Sequence, residues 1–101
     1  MIDRNLYTGL IRLHILHHAD EGPIFGQAMI DELARHGYRL SAGTLYPILH
    51  GMERQGYLRS QQTKNAGRQR RVYRATPAGR RALVVARRRV QELFGEMFEE
   101  D

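Results

Sequence analysis

The sequence predicts a mainly α-helical fold carrying one small β-hairpin, an α+β domain, and three observations predict it. Apolar residues recur at helical spacing in four separate stretches. Two short extended segments flank a turn containing Asn65 and Gly67. A long helical pattern then runs from Pro77 to about Phe98 without an internal breaker.

In the first stretch Leu6, Leu10, Leu13 and Leu16 form a stripe that Ile11 and Ile15 widen, which predicts a helix over about residues 5–18. Asp20-Glu21-Gly22-Pro23 interrupts it, because proline cannot continue a helix and disfavours helical geometry in the residue before it. From Gly26, the set Ala28, Met29, Ile30 and Leu33 predicts a second helix that Gly37 ends. The free N–H groups at its start, Phe25-Gly26, can receive a phosphate.

Ser41 is the predicted N-cap of a third helix, its hydroxyl accepting from a backbone N–H one turn on. Leu45, Ile48, Leu49 and Met52 then fall on one side. The opposite side carries Ser41, Gly43, Thr44, Tyr46, Pro47, His50 and Arg54, residues able to hydrogen-bond or pack closely against something outside the protein. A helix lying in a DNA groove has this division. Pro47 removes a backbone hydrogen bond and should bend or tighten the helix start; it either aims Thr44 and Tyr46 outward or packs on a neighbouring turn. Tyr46, on the polar side, can donate to phosphate. Gly56 is the predicted left-handed stop.

Two strands, Tyr57 to Thr63 and Arg70 to Ala75, are expected to pair around Lys64-Asn65-Ala66-Gly67-Arg68-Gln69. Lys64, Arg68, Arg70 and Arg71 then lie at or near the hairpin tip, where they can follow a minor groove or its phosphates. Thr76-Pro77 opens the last helix with a cap and a proline at the first helical position. Along it Leu83, Ala86, Val90, Leu93 and Met97 recur in alternating three- and four-residue steps, with Phe94 and Phe98 beside them. Such a heptad seam either folds back on its own domain or pairs with a second chain. Three helices already fill this small core, so pairing is expected, joined by Leu6 and Leu10 of the first helix. The last helix runs from Arg80, Arg81, Arg87, Arg88 and Arg89 to Glu92, Glu96, Glu99, Glu100 and Asp101, an order that opposes the helix dipole. Packing must therefore stabilise it.

The run Gly43-Thr44-Leu45-Tyr46-Pro47-Ile48-Leu49, with Met52-Glu53 and Gly56-Tyr57-Leu58, resembles the winged-helix core of the PadR family of bacterial transcriptional regulators. Gly67 to Gly79 resembles that family's wing and the threonine opening its last helix. Where the family often has Tyr-Gly at the start of the second helix, this chain has Phe25-Gly26. The resemblance implies a winged helix-turn-helix over residues 1–76 and a C-terminal dimerisation helix over 77–101. It also implies repression at a roughly palindromic operator by a homodimer. A planar aromatic or drug-like effector near the dimer interface is implied too, for which Tyr7, Phe94 and Phe98 are the candidate walls.

Composition agrees with those partners. Twelve of the sixteen Lys and Arg residues lie between Arg54 and Gln91, a span without Asp or Glu. A concentrated positive field beside a groove-sized helix favours double-stranded nucleic acid, because neutralised phosphates release counterions. The chain has no cysteine, which excludes disulfides, thiolate metal sites and cysteine nucleophiles. No long uncharged apolar run and no basic-then-apolar leader are evident, so a soluble cytoplasmic protein without a membrane partner is expected. No nucleophile, base and orienter set emerges, and no enzyme is expected. His14 and His18 share a helical face, yet no third ligand is evident, so neither metal nor cofactor is assigned. A winged-helix RNA-binding module or a protein-interaction module would use the same basic surface or the same seam.

Overall fold

The structure is a computed structural model, and it describes residues 4–65 and 67–98. Four helices surround a small sheet in the order α1 (Arg4–Glu21), β1 (Ile24–Phe25), α2 (Gly26–Arg35), α3 (Ala42–Arg54), β2 (Leu58–Asn65), β3 (Arg68–Ala75) and α4 (Pro77–Phe98). The α+β class is as expected. Positions 1–3, 66 and 99–101 lie outside the described residues, and with them Ala66 of the predicted turn and the acidic end Glu99-Glu100-Asp101.

Ile11, Ile15 and Leu16 of α1 meet Met29 and Leu33 of α2, Leu45, Leu49 and Met52 of α3, and Leu58 and Tyr73 of the sheet in one core. The helical periodicities therefore located the buried face of α2 and α3, whereas on α1 the buried face is that of Ile11, Ile15 and Leu16, and Leu6 and Leu10 of the predicted stripe are exposed. Two turns that aim α3 are closed by the same hydrogen-bond pattern. After α2, Tyr38 N–H donates to the Leu33 carbonyl and Gly37 N–H to that of Ala34; after α3, Tyr57 N–H donates to Met52 and Gly56 N–H to Glu53. This is the Schellman arrangement, which needs a left-handed residue, and Gly56 supplies it at φ 86°.

Several expectations are corrected. α1 continues one turn beyond His18, to Glu21, since only Pro23 forbids the helix and Asp20 and Glu21 do not. The Ile24–Phe25 strand was not anticipated; it pairs antiparallel with β3, Ile24 opposite Tyr73 and Phe25 opposite Val72, giving sheet order β1-β3-β2. The hairpin strands are longer than predicted: the ladder reaches Asn65 opposite Arg68, so Lys64 and Gln69 are strand residues, with Gly67 at φ 78° in the turn. Ser41 does stand at the N-cap position with extended backbone, but its hydroxyl makes no cap bond and lies instead 3.3 Å from the Thr44 hydroxyl.

Thr76 caps α4 as expected, its Oγ1 accepting from Gly79 N–H at 3.0 Å. Gly79 is dictated by packing: a Cβ there would run into the carbonyl of Tyr57 and come within 3.3 Å of Leu16 Cδ1. Close approach of α4 to the end of α3 and to α1 depends on that missing methyl. An ion pair between Arg80 and Asp20, 3.3 Å, lies beside it.

Candidate nucleic-acid interface

Helical geometry sorts the outer residues of α3. At 100° per residue, Gly43, Pro47, His50 and Arg54 share the ridge opposite the buried Leu45, Leu49 and Met52, and all four are exposed. Ser41 and Thr44 are exposed at its start. A Cβ on Gly43 would meet only Ser41 Oγ, at an ordinary 3.7 Å, so nothing within the protomer demands glycine there. The helix continues through Pro47, which with Arg54, Thr8 and Arg12 lines a shallow hollow between α3 and α1. Arg12 also donates to Gln55 Oε1, tying α1 to the end of α3.

Tyr46 departs from the outward reading. It lies on the flank of α3, half-buried against the core, with its ring end lodged over Gly26 at the start of α2. Gly26 is itself buried, and Phe25 at the α2 N-cap contributes no side-chain cap bond. The phenol of Tyr46 thus sits at the very helix terminus whose N–H groups were expected to face phosphate.

Ladder register divides the wing cations. Leu58, Ser60, Tyr73 and Ala75 face the core side of the hairpin, and strand alternation places Lys64 and Arg71 with them. Arg68, Arg70, Arg59 and Arg74 occupy the other face. Arg71 is not free: it donates to Ser60 Oγ at 2.9 Å, and Ser60 donates from both its hydroxyl (2.8 Å) and its N–H (3.1 Å) to Glu53 Oε2 on α3. This chain clamps the wing to the helix. On the opposite face the Arg70 guanidinium lies 5.4 Å from the centre of the Phe25 ring, a cation–π contact joining β1 and β3. Arg59 stands directly opposite Arg74; like charges in register destabilise a sheet unless an anion shares them. Glu53 and Ser60 were absent from the sequence reading of the site, and Phe25 entered it only through its backbone at the start of the second helix. A carboxylate near the end of a helix followed by Ser on the next strand was the available signal, but only the register reveals the contact. Beneath this region the Tyr73 hydroxyl is buried without a hydrogen-bond partner among the described residues, and burial, with Glu53 nearby, pushes its pKa up.

A second surface lies away from the wing. The exposed large apolar residues belong to α1 (Leu6, Tyr7, Leu10) and α4 (Val84, Val85, Val90, Leu93, Phe94, Met97, Phe98) and to no other described element. Of the predicted seam, Leu83 is enclosed in the protomer's own core and Ala86 is half-buried, whereas everything from Val90 onward is exposed. An open groove of about 730 Å³ runs between the two helices, lined by Leu10, Leu13, Val90 and Phe94 among others. The Phe94 and Phe98 rings lie 5.1 Å apart at a 47° tilt, and neither Phe98 nor Tyr7, which is edge-on to Tyr38, lines the groove. Among the described residues no helix is long and apolar enough to cross a membrane.

A helix with an exposed polar ridge, preceded by a second helix and flanked by a basic hairpin, is the reading head of a winged helix-turn-helix protein. Residues 15–85 match the transcriptional regulator PadR-like family, and the chain belongs to that family of transcriptional regulators, which are not enzymes. It is 53% identical over 94 residues to the transcriptional regulator Rv3488 of Mycobacterium tuberculosis, covering 93% of this chain and 88% of that protein. Its fold is similar to a PadR family transcriptional regulator from Eggerthella lenta, with a TM-score of 0.78, 31% identity, and 96% and 88% of the two chains covered. It also superposes on Bacillus subtilis PadR in complex with operator DNA over 74% of this chain and 44% of that one, with a TM-score of 0.65; at 16% identity this is a likeness of fold.

Proposed function

We propose that this chain is a DNA-binding repressor that acts in the cytoplasm as a homodimer on a roughly palindromic operator. The observation carrying this reading is the exposed α3 ridge of Gly43, Pro47, His50 and Arg54 beside a basic hairpin in which Arg59 stands directly opposite Arg74. Such a surface is satisfied by a groove and its phosphates. α3 enters the major groove, with Ser41 and Thr44 at its leading end. The wing lays Lys64 and Arg68 along the adjacent backbone while Glu53 and Ser60 hold Arg71 at the junction. A phosphate at the start of α2 would meet Gly26 and the Tyr46 phenol together. The family neighbour from Bacillus subtilis crystallised with operator DNA supports the choice of ligand.

Residues 77–101 serve as the dimerisation helix in this reading. The exposed apolar residues of α4 and of the start of α1 cover one another across a two-fold axis, which sets the spacing of two α3 helices. An aromatic effector would enter the groove beside Phe94, whose ring meets that of Phe98, and shift that spacing. Occupancy of the operator blocks transcription.

The test is binding of the purified protein to DNA from its own upstream region against a scrambled duplex across a salt series. A preference of about a thousandfold or more supports the reading. Equal, steeply salt-dependent binding to both duplexes, or to structured RNA, would replace it with a non-specific nucleic-acid module.

A further inference from the structure

We propose that the C-terminal turn of α1 is a binding site for a divalent transition-metal cation of the zinc type, with His17, His18 and Glu21 as its three protein ligands. One ligand atom from each residue lies within 4.8 Å of the others. The two oxygens of Glu21 face one imidazole nitrogen each: Oε1 is 3.6 Å from His18 Nδ1 and Oε2 is 3.7 Å from His17 Nε2. These separations are too long for hydrogen bonds, which lie at about 2.7–3.2 Å. They are close to the roughly 3.4 Å expected between two ligands held about 2.0–2.1 Å from a tetrahedral ion.

The surroundings of His18 are those of a metal ligand. Its other nitrogen, Nε2, faces Glu32 Oε2 on α2 at 3.6 Å, an electrostatic contact longer than a hydrogen bond. A ligating imidazole commonly gives its second N–H to a carboxylate, which fixes the tautomer and raises the basicity of the metal-facing nitrogen. Glu32 is itself held by His36, 2.9 Å, and by Arg35, 2.9 Å, and so stays beside His18. The site also lies at the C-terminal end of a helix, where the dipole favours a cation. The pair singled out by periodicity, His14 with His18, is not the one brought together. His14 instead lies against His36 (4.9 Å between ring centres) and Tyr38.

Imidazole and carboxylate donors suit zinc, nickel or copper, and three protein ligands leave a position open to solvent or a fourth donor. The placement has a regulatory consequence. His17 lines the groove between α1 and α4, and His18 reaches α2 through Glu32, so an ion here joins the apolar groove to the helix that precedes the reading helix.

Titration of the untagged full chain with Co²⁺, followed by visible absorption, and with Zn²⁺, followed by calorimetry, tests the site. One Co²⁺ per chain with ligand-field absorption is expected, displaced by Zn²⁺. Affinity should fall at least tenfold in His17→Ala and in Glu21→Gln, and about 10–100-fold in Glu32→Gln. His50→Ala, a change to an exposed histidine on α3, should leave it intact. Absence of binding, or equal affinity in His17→Ala and Glu21→Gln with their circular dichroism unchanged, would overturn the proposal.

Discussion

The phenol of Tyr46 on α3 fills the space that a Cβ at position 26, the first residue of α2, would need. Two helices of the reading head are thereby locked through one ring and one missing methyl. Gly26→Ala should destabilise the fold by about 1–3 kcal/mol, the usual effect of overpacking. The double variant Gly26→Ala/Tyr46→Ala should recover much of that loss, because the clash is gone, and denaturant unfolding of the four species measures the coupling. Additive losses would show that the two residues do not meet. Tyr46→Phe separates packing from chemistry: it should leave stability nearly unchanged while weakening operator binding.

Gly43 offers the opposite diagnosis. Since an added Cβ there meets nothing closer than 3.7 Å, Gly43→Ala should be neutral or stabilising by roughly 0.5–1 kcal/mol in thermal unfolding. If the α3 ridge lies against DNA, the same methyl should cost at least tenfold in operator affinity by gel shift. A variant that is more stable and binds as tightly would move the interface away from Gly43.

The chain Arg71, Ser60, Glu53 predicts a change in wing order and not in the core. Ser60→Ala removes both side-chain links and should cost about 1 kcal/mol in stability. Hydrogen exchange should accelerate at the hairpin amides from Thr63 to Arg70 while the α1 amides stay protected. Uniform protection in the variant would mean that strand pairing alone holds the wing.

Most of the helical architecture was legible because apolar residues such as Leu45, Leu49 and Met52 repeat over several turns, long enough for one period to dominate. Ile24 and Phe25 carry no period, being two residues long, and they become a strand only because Val72 and Tyr73, far along the chain, pair with them. The division of the wing cations was hidden for a related reason: shifting the ladder by one residue would exchange Arg70 and Arg71 between faces, and only the folded register fixes it. Tyr46 was read as outward-facing because a flank position on a helix belongs to either side until its neighbour, here Gly26, is known. The histidines followed the same rule. Spacing paired His14 with His18, while the side chains on adjacent helices paired His14 with His36.

That histidine cluster gives stability a pH dependence. Burial first, and then the neighbouring His36, His18 and His17, lower the His14 pKa below its ordinary 6.5. The folded state consequently binds fewer protons than the unfolded chain near and below that value, so stability rises with pH there. The melting temperature should fall as pH is lowered from about 7 toward 5, and His14→Gln should flatten the decline. An unchanged slope in the variant would remove His14 as its source.

The exposed end of α4 makes the sharpest demand on a second chain. Leu93 and Met97 are 53% and 63% exposed in the protomer, next to Phe94 and the apolar start of α1, and no described residue of the same chain covers them. Full burial of one such side chain contributes about 1.5–3 kcal/mol, and a two-fold interface counts each substitution twice. In the proposed homodimer Leu93→Asp should therefore weaken self-association by about 3–6 kcal/mol, or roughly a hundredfold to ten-thousandfold in the dimer constant. Sedimentation equilibrium reads this directly. The core contains Leu83 and not Leu93, so the winged-helix fold itself should persist in the far-ultraviolet circular dichroism spectrum. A dimer of unaltered strength would locate the protein's contacts elsewhere and leave the apolar end of α4 for a partner of a different kind.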